Sequence, residues 1–258
     1  MGEIEEFEEA RQENPPRGMG VLRRRGIYLL PNLITTASLF SGFYAIVQAM
    51  NGRFETAAIA IFVSMVLDGL DGRIARLTHT QSEVGAQYDS LSDMVSFGAA
   101  PALVMYVWAL KDLGKLGWIA AFVYCAGAAL RLARFNTNID VVDKRYFQGL
   151  PSPMAAALLA GLVWVFADLG IDRELWLSII AWVFTMYAGI TMVSNVPFYS
   201  FKEFNVKKAV PFWVVAVFAA GLAVVSLKPS VVLFLMVFAY GVSGYVLWGL
   251  GRKARPVP

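Results

Sequence analysis

The chain is predicted to be an all-α integral membrane protein, a bundle of about eight transmembrane helices. Three observations lead there. Hydrophobic residues make up 58% of its 258 residues, charged residues only 16%, and mean hydropathy is +0.58. A soluble domain carries about 25% charged residues. The apolar residues fall into eight stretches, near 28–50, 54–77, 84–110, 115–136, 152–170, 174–194, 209–227 and 230–250. Each approaches the roughly 20 residues that cross a bilayer. Finally, if the termini share one side, that side collects 17 of the 22 Lys and Arg, including Arg23–Arg25, Arg73, Arg76, Arg131 and Arg134. The opposite side keeps Arg53, Lys111, Lys115, Arg173 and Lys228. That bias puts both termini in the cytoplasm.

The elements follow in order. Residues 1–27 form a cytoplasmic tail, acidic and polar up to Pro15 and Pro16 and basic at Arg23–Arg25. The arginines lead straight into a full-length span, so they read as a topology anchor and not as the start of a cleavable signal. Residues 28–250 form one membrane domain, and 251–258 a basic cytoplasmic tail. The second and third spans are joined by a short polar turn, about Leu77 to Glu83, that holds the lone histidine, His79. Gly114, Gly170 and Pro229 mark further short turns, and Pro151 and Pro153 open the fifth span, where the first helical turn tolerates proline. Asp140, Asp143, Lys144 and Arg145 read as a solvated loop. Trp164, Trp176, Trp213 and Trp248 read as interfacial or lipid-facing. A single cysteine, Cys125, excludes an internal disulfide and a cysteine-based metal cluster; among Ala121, Phe122, Ala126 and Ala129 it reads as a packed thiol. One histidine gives little support to Ser-His-Asp catalysis.

Four aspartates stand out against this background: Asp68 and Asp71 at the end of the second span, Asp89 and Asp93 one to two turns into the third. Carboxylates in or near a membrane are costly. Spacings of three and four put each pair on one helix face. Antiparallel neighbouring helices would then gather all four just inside the cytoplasmic surface. So dense a set cannot stay ionised without positive charge among them, which points to hard divalent cations. Gly72 and Gly85 offer bare backbone, and Arg76 a planar cation, as a phosphate on the metals would require. One such acid would be explained by an arginine partner. A cation pathway is the alternative for the set, but a transporter needs access from both sides and these acids gather near one.

The full spacing runs Asp68, Asp71-Gly72, Ala75-Arg76, Gly85, Asp89, Asp93, eight positions within 26 residues. It resembles the complete motif of the CDP-alcohol phosphotransferases. Three further stretches, LPNLITTASLFSGFYA at 30–45, RLARFN at 131–136 and FQGLPSP at 147–153, resemble the bacterial and archaeal phosphatidylserine synthases within that family. Ser38 departs from the pattern, standing where many members carry asparagine, so a substrate contact there would be shortened or bridged by water.

The resemblance implies a metal-dependent membrane enzyme of the bacterial or archaeal cytoplasmic membrane, its site open to the cytoplasm. It would move the phosphatidyl group of CDP-diacylglycerol to the hydroxyl of L-serine and release CMP. Two Mg²⁺ or Mn²⁺ ions would sit on Asp68, Asp71, Asp89 and Asp93, suited to an in-line displacement. Asp93 would also be the general base. Asp68, Gly72, Ala75, Arg76 and Gly85 would meet the donor nucleotide. Arg131 and Arg134, three apart on one helical face, are assigned with Asn136 to the phosphate and serine-carboxylate region. A homodimer is expected from the family, and no nucleic-acid partner. Glycerol 3-phosphate or inositol phosphate remain alternative acceptors, though either would call for more clustered basic residues.

Overall fold

The computed structural model describes residues 17–78, 82–137, 146–171, 174–200 and 212–250, with side chains from Leu30 onward except those of Tyr146, 212–216, Phe218 and Leu222. His79, Asp140, Asp143, Lys144, Arg145, the side chains of Arg23–Arg25 and Trp213, and both tails lie outside the described residues. Helix α1 (Arg17–Met50) is followed by α2 (Phe54–Leu77), α3 (Glu83–Leu113), α4 (Lys115–Thr137), α5 (Ser152–Asp168), α6 (Leu175–Val193), α7 (Phe212–Leu227) and α8 (Pro229–Gly249). Among the described residues, five segments are long and apolar enough to cross a membrane: Leu30–Met50 within α1, then α3, α4, α6 and α8. Helix α2 carries Asp68, Asp71, Arg73 and Arg76, and α5 has only 17 residues.

Helix α1 begins at Arg17, well before the expected start near residue 28. Residues 17–30 hold no proline, and their arginines, leucines and methionine are good helix formers that outnumber Gly18, Gly20 and Gly26. It then continues through Pro31. Gly114 and Gly170 take the turn conformation expected of them, with φ of 56° and 62°.

The all-helical expectation needs one correction. Two short strands, β1 (Tyr146–Gln148) and β2 (Pro197–Tyr199), pair antiparallel with Phe147 opposite Phe198. Three-residue strands carry too little alternation to announce themselves. Gly149, at φ +76°, makes the turn out of β1, and a Cβ there would collide with the carbonyls of Met192 and Ser194.

Packing follows small residues. Helices α1 and α2 run against each other over much of their length, α4 lies on α6, and α5 sits between α2 and α8. Gly127 of α4 faces the backbone of Gly189 on α6 so closely that a Cβ would meet its carbonyl at 2.5 Å. The core is rich in alanine, from Ala45, Ala57 and Ala58 to Ala155 and Ala156. Where apolar solvent surrounds a bundle, such close backbone approach supplies the packing energy.

One residue gains a partner and one expectation changes. Ser38 is buried between helices, its Oγ 2.8 Å from Ser64 Oγ and donating to Ser64 O at 3.0 Å. It joins α1 to α2 and touches no part of the carboxylate cluster. Trp164 turns inward, its ring 5.7 Å from Phe62 and packed on the core; Trp176 and Trp248 are exposed. Cys125 is half-buried and packed on the core.

Helix α3 is regular only as far as Asp93. Residues Met94–Ala99 and Tyr106–Leu110 wind as π-helix. Such wide turns often sit at functional sites. Tyr124 on α4 donates from its hydroxyl to the carbonyl of Phe97 at 2.9 Å, stabilising the first of them.

Candidate active site

The last turns of α2 and the first of α3 meet beside the middle of α1. Asp68, Asp71 and Asp89 each offer an oxygen, and these atoms lie within 4.8 Å of one another. Asp93 stands next to Asp68, and positive charge among carboxyls so close would relieve their repulsion. All four aspartates therefore come together, as the spacing predicts. Ser82 starts α3 by accepting a hydrogen bond from the Gly85 amide at 3.0 Å, which fixes where the second pair begins.

The residues present suit a divalent metal. Asp89 Oδ1 is buried and has no hydrogen-bond partner among the described residues. A buried carboxylate oxygen without a donor is expensive, and a cation would remove that cost. The donor set, three to four carboxylates with no sulfur or imidazole among the described residues, suits hard cations such as Mg²⁺ or Mn²⁺.

A cavity of about 260 Å³ opens beside the aspartates. Gly72, Ala75 and Gly85 line it with Asp71 and Asp89, together with Pro31, Asn32, Thr35 and Ser82. A Cβ on Gly72 would meet nothing within 4 Å. That glycine leaves room for something other than protein. Arg76 is exposed and folds back, donating from Nε to Gly72 O at 2.9 Å; it is not among the residues lining the cavity.

The arginines of α4 fare differently from each other. Arg131 is 8% exposed. It donates from an NH1 to Ser152 Oγ at 2.8 Å, and its Nε has no partner among the described residues. It lies within electrostatic reach of Asp93 and Tyr240. Arg134 instead spreads over the turn between α6 and β2. Its guanidinium donates to the carbonyls of Gln148 (2.8 Å), Val193 (3.1 Å), Met192 (3.2 Å) and Ser194 (3.4 Å), and to Asn195 Oδ1 (3.3 Å). Asn136 donates to Ser90 Oγ at 3.0 Å, tying α4 to α3 next to Asp89.

Sequence reasoning missed α1 as a wall of the site. Asn32 and Thr35 lie in the stretch LPNLITTASLFSGFYA, already conspicuous for polar residues inside an apolar span, and that polarity was the available signal. Ser152, inside FQGLPSP, was missed as the partner of Arg131.

A helical membrane protein with clustered carboxylates for divalent metal, beside a cavity edged by glycine and alanine, defines a class that handles phosphate esters at a bilayer. The comparisons narrow it. A sequence profile of the CDP-alcohol phosphatidyltransferase family matches residues 28–187. A CDP-diacylglycerol–serine O-phosphatidyltransferase of Helicobacter pylori is 35% identical over 229 residues, covering 86% of this chain and 92% of its own. Enzymes of the same name from Mycobacterium tuberculosis and Methanocaldococcus jannaschii are each 33% identical, covering 87% and 86% of this chain and 79% and 96% of theirs. The fold resembles the crystal structure of Mycobacterium tuberculosis phosphatidylinositol phosphate synthase with CDP-DAG bound, at TM-score 0.50 and 19% identity, over 74% of this chain and 95% of that one. The chain belongs to the CDP-alcohol phosphatidyltransferase family.

Proposed function

We infer that the chain is a phosphatidylserine synthase, transferring the phosphatidyl group of CDP-diacylglycerol to the hydroxyl of L-serine with release of CMP. Near-full-length similarity to enzymes of that name in two bacteria and an archaeon supports the acceptor. The observation that carries the chemistry is the meeting of Asp68, Asp71, Asp89 and Asp93 beside a cavity edged by Gly72, Ala75 and Gly85.

Asp68, Asp71 and Asp89 would hold two divalent ions, Mg²⁺ or Mn²⁺, with Asp93 completing the set. Such ions supply positive charge against the diphosphate and leaving-group oxygens. The cavity takes the nucleotide end of the donor. Its small walls allow close approach, and Arg76, released from Gly72 O, can reach a phosphate. Asp93 accepts the proton of the serine hydroxyl as it attacks. Arg131 supplies a buried cation for the serine carboxylate, its free Nε being the donor. Arg134 holds the turn that walls this region, and Asn136 fixes α4 against α3.

The eight helices would span the membrane as one domain, 28–250, with both termini and the site on the cytoplasmic side. The distribution of Lys and Arg supports that orientation. A homodimer is the expected assembly from the family.

The test is CMP release by purified protein with CDP-diacylglycerol and Mn²⁺ or Mg²⁺, comparing L-serine, glycerol 3-phosphate and inositol phosphate. Release driven by serine alone, and lost in Asp93→Asn, is the expected result. Release driven by another alcohol would keep the chemistry and overturn the acceptor. No release from folded protein would favour a cation pathway.

A further inference from the structure

Thr35 stands where three helices meet. It lies in α1, 4% exposed. Its Oγ1 is 2.6 Å from Asp71 Oδ2 on α2 and 3.1 Å from the carbonyl of Pro31 in its own helix. Its carbonyl accepts a hydrogen bond from Ser92 Oγ on α3 at 3.3 Å. Ser92 sits between Asp89 and Asp93 in the sequence. One residue of α1 is therefore bonded to both helices that carry the aspartates, and it reaches the carboxylate of one of them directly.

A hydroxyl has one hydrogen to give. The shorter distance, and the charge on a carboxylate, assign it to Asp71 Oδ2 over the neutral Pro31 carbonyl. Asp71 is itself 4% exposed. Fixing Oδ2 takes away the freedom of the carboxylate to rotate about its last bond, and it aims the remaining lone pairs toward Asp68 and Asp89. Groups that orient a ligating carboxylate typically govern metal affinity by about 10–100-fold.

We propose that Thr35 is a positioning residue of the metal centre: its hydroxyl holds the Asp71 carboxylate in the ligating orientation, and its carbonyl keeps α3 in register with α2. The proposal rests on the reading of the aspartates as a divalent-metal site. It adds a requirement from α1, a helix outside the aspartate motif.

The test is Mn²⁺ binding to the full chain in detergent without substrate, read from the electron paramagnetic resonance signal of free Mn²⁺. Thr35→Val keeps the shape and the backbone carbonyl but removes the hydroxyl. Its dissociation constant for Mn²⁺ should rise about 10–100-fold, and Thr35→Ser should return it close to the parent value. Thr36→Val is the control, because Thr36 Oγ1 is 2.8 Å from Tyr88 Oη and touches no aspartate. In turnover, the same Thr35→Val loss should appear as a higher KM for Mn²⁺, with kcat largely recovered at saturating metal. If Thr35→Val does not accumulate, Thr35→Ala carries the same expectation. Unchanged Mn²⁺ affinity in a folded Thr35 variant lacking the hydroxyl overturns the proposal. A parent protein that binds no Mn²⁺ overturns it together with the metal reading. Normal Mn²⁺ binding without CMP release to any acceptor breaks the proposed function and leaves Thr35 its role.

Discussion

The aspartates of α2 and α3 and the arginines of α4 are placed by different means. On α2 and α3, residues three and four apart converge on one point, because short polar side chains go where their helix points them. On α4, Arg131 and Arg134 are also three apart, and the structure separates them. Arg131 is buried against Ser152 with its Nε free. Arg134 spends its guanidinium on the oxygens around the turn after α6. The difference is one of reach. A carboxylate one or two carbons from its backbone inherits its geometry from the helix, whereas a guanidinium on a long stem takes the partner that the surrounding turns offer.

The largest expected effect lies among the aspartates. Asp93→Asn keeps the shape of the cluster and removes the proposed proton acceptor. CMP release with serine should fall by about 10²–10⁴-fold, while the variant remains folded by circular dichroism and retains CDP-diacylglycerol binding. If turnover persists within tenfold of the parent, Asp93 is not the base, and its meeting with Asp68 serves only the metal.

The next effect tests the arginines against each other. Arg131→Met removes a buried donor. Serine KM should rise by about 10–100-fold, the worth of a hydrogen bond to a charged group being about 1.5–3 kcal/mol. KM for CDP-diacylglycerol should hardly move. Arg134→Met should show the converse pattern: a lower thermal midpoint as the turn at Met192–Asn195 loses its pin, with serine KM nearly unchanged in the folded fraction. Equal rises in serine KM for both variants would restore the symmetrical assignment that their spacing suggests.

The same contrast explains how much of the molecule was legible in its sequence. Runs such as 175–193 and 229–249 are long and uniformly apolar, so composition alone marks them. The aspartates were legible because helical periodicity converts spacing into position. Thr35 was not, because its partner Asp71 is 36 residues away and only the packing of α1 on α2 joins them. Ser38 is a second case: its place in the family pattern says nothing of Ser64, which bonds it across a helix interface, as small hydroxyls commonly do where helices pack closely. The pairing of β1 with β2, two helices apart in the chain, is held by Arg134 and by Gly149, neither of which marks a strand in the sequence.

The smallest effect is also the one with the most distinctive sign. Gly72 lies in α2, lines the cavity and has open space where a Cβ would go. Helix propensity alone predicts that Gly72→Ala stabilises the protein by about 0.5–1 kcal/mol. If the space belongs to the donor nucleotide, the added methyl should at the same time raise KM for CDP-diacylglycerol several-fold, with serine KM unchanged. Stability and affinity would then move in opposite directions on one substitution. Thermal unfolding without substrate, set beside donor titration, reads both. A stabilised variant with unaltered donor KM would mean that the open face of Gly72 looks onto solvent, and the nucleotide would have to be placed nearer Asn32 and Gly85 on the other side of the cavity.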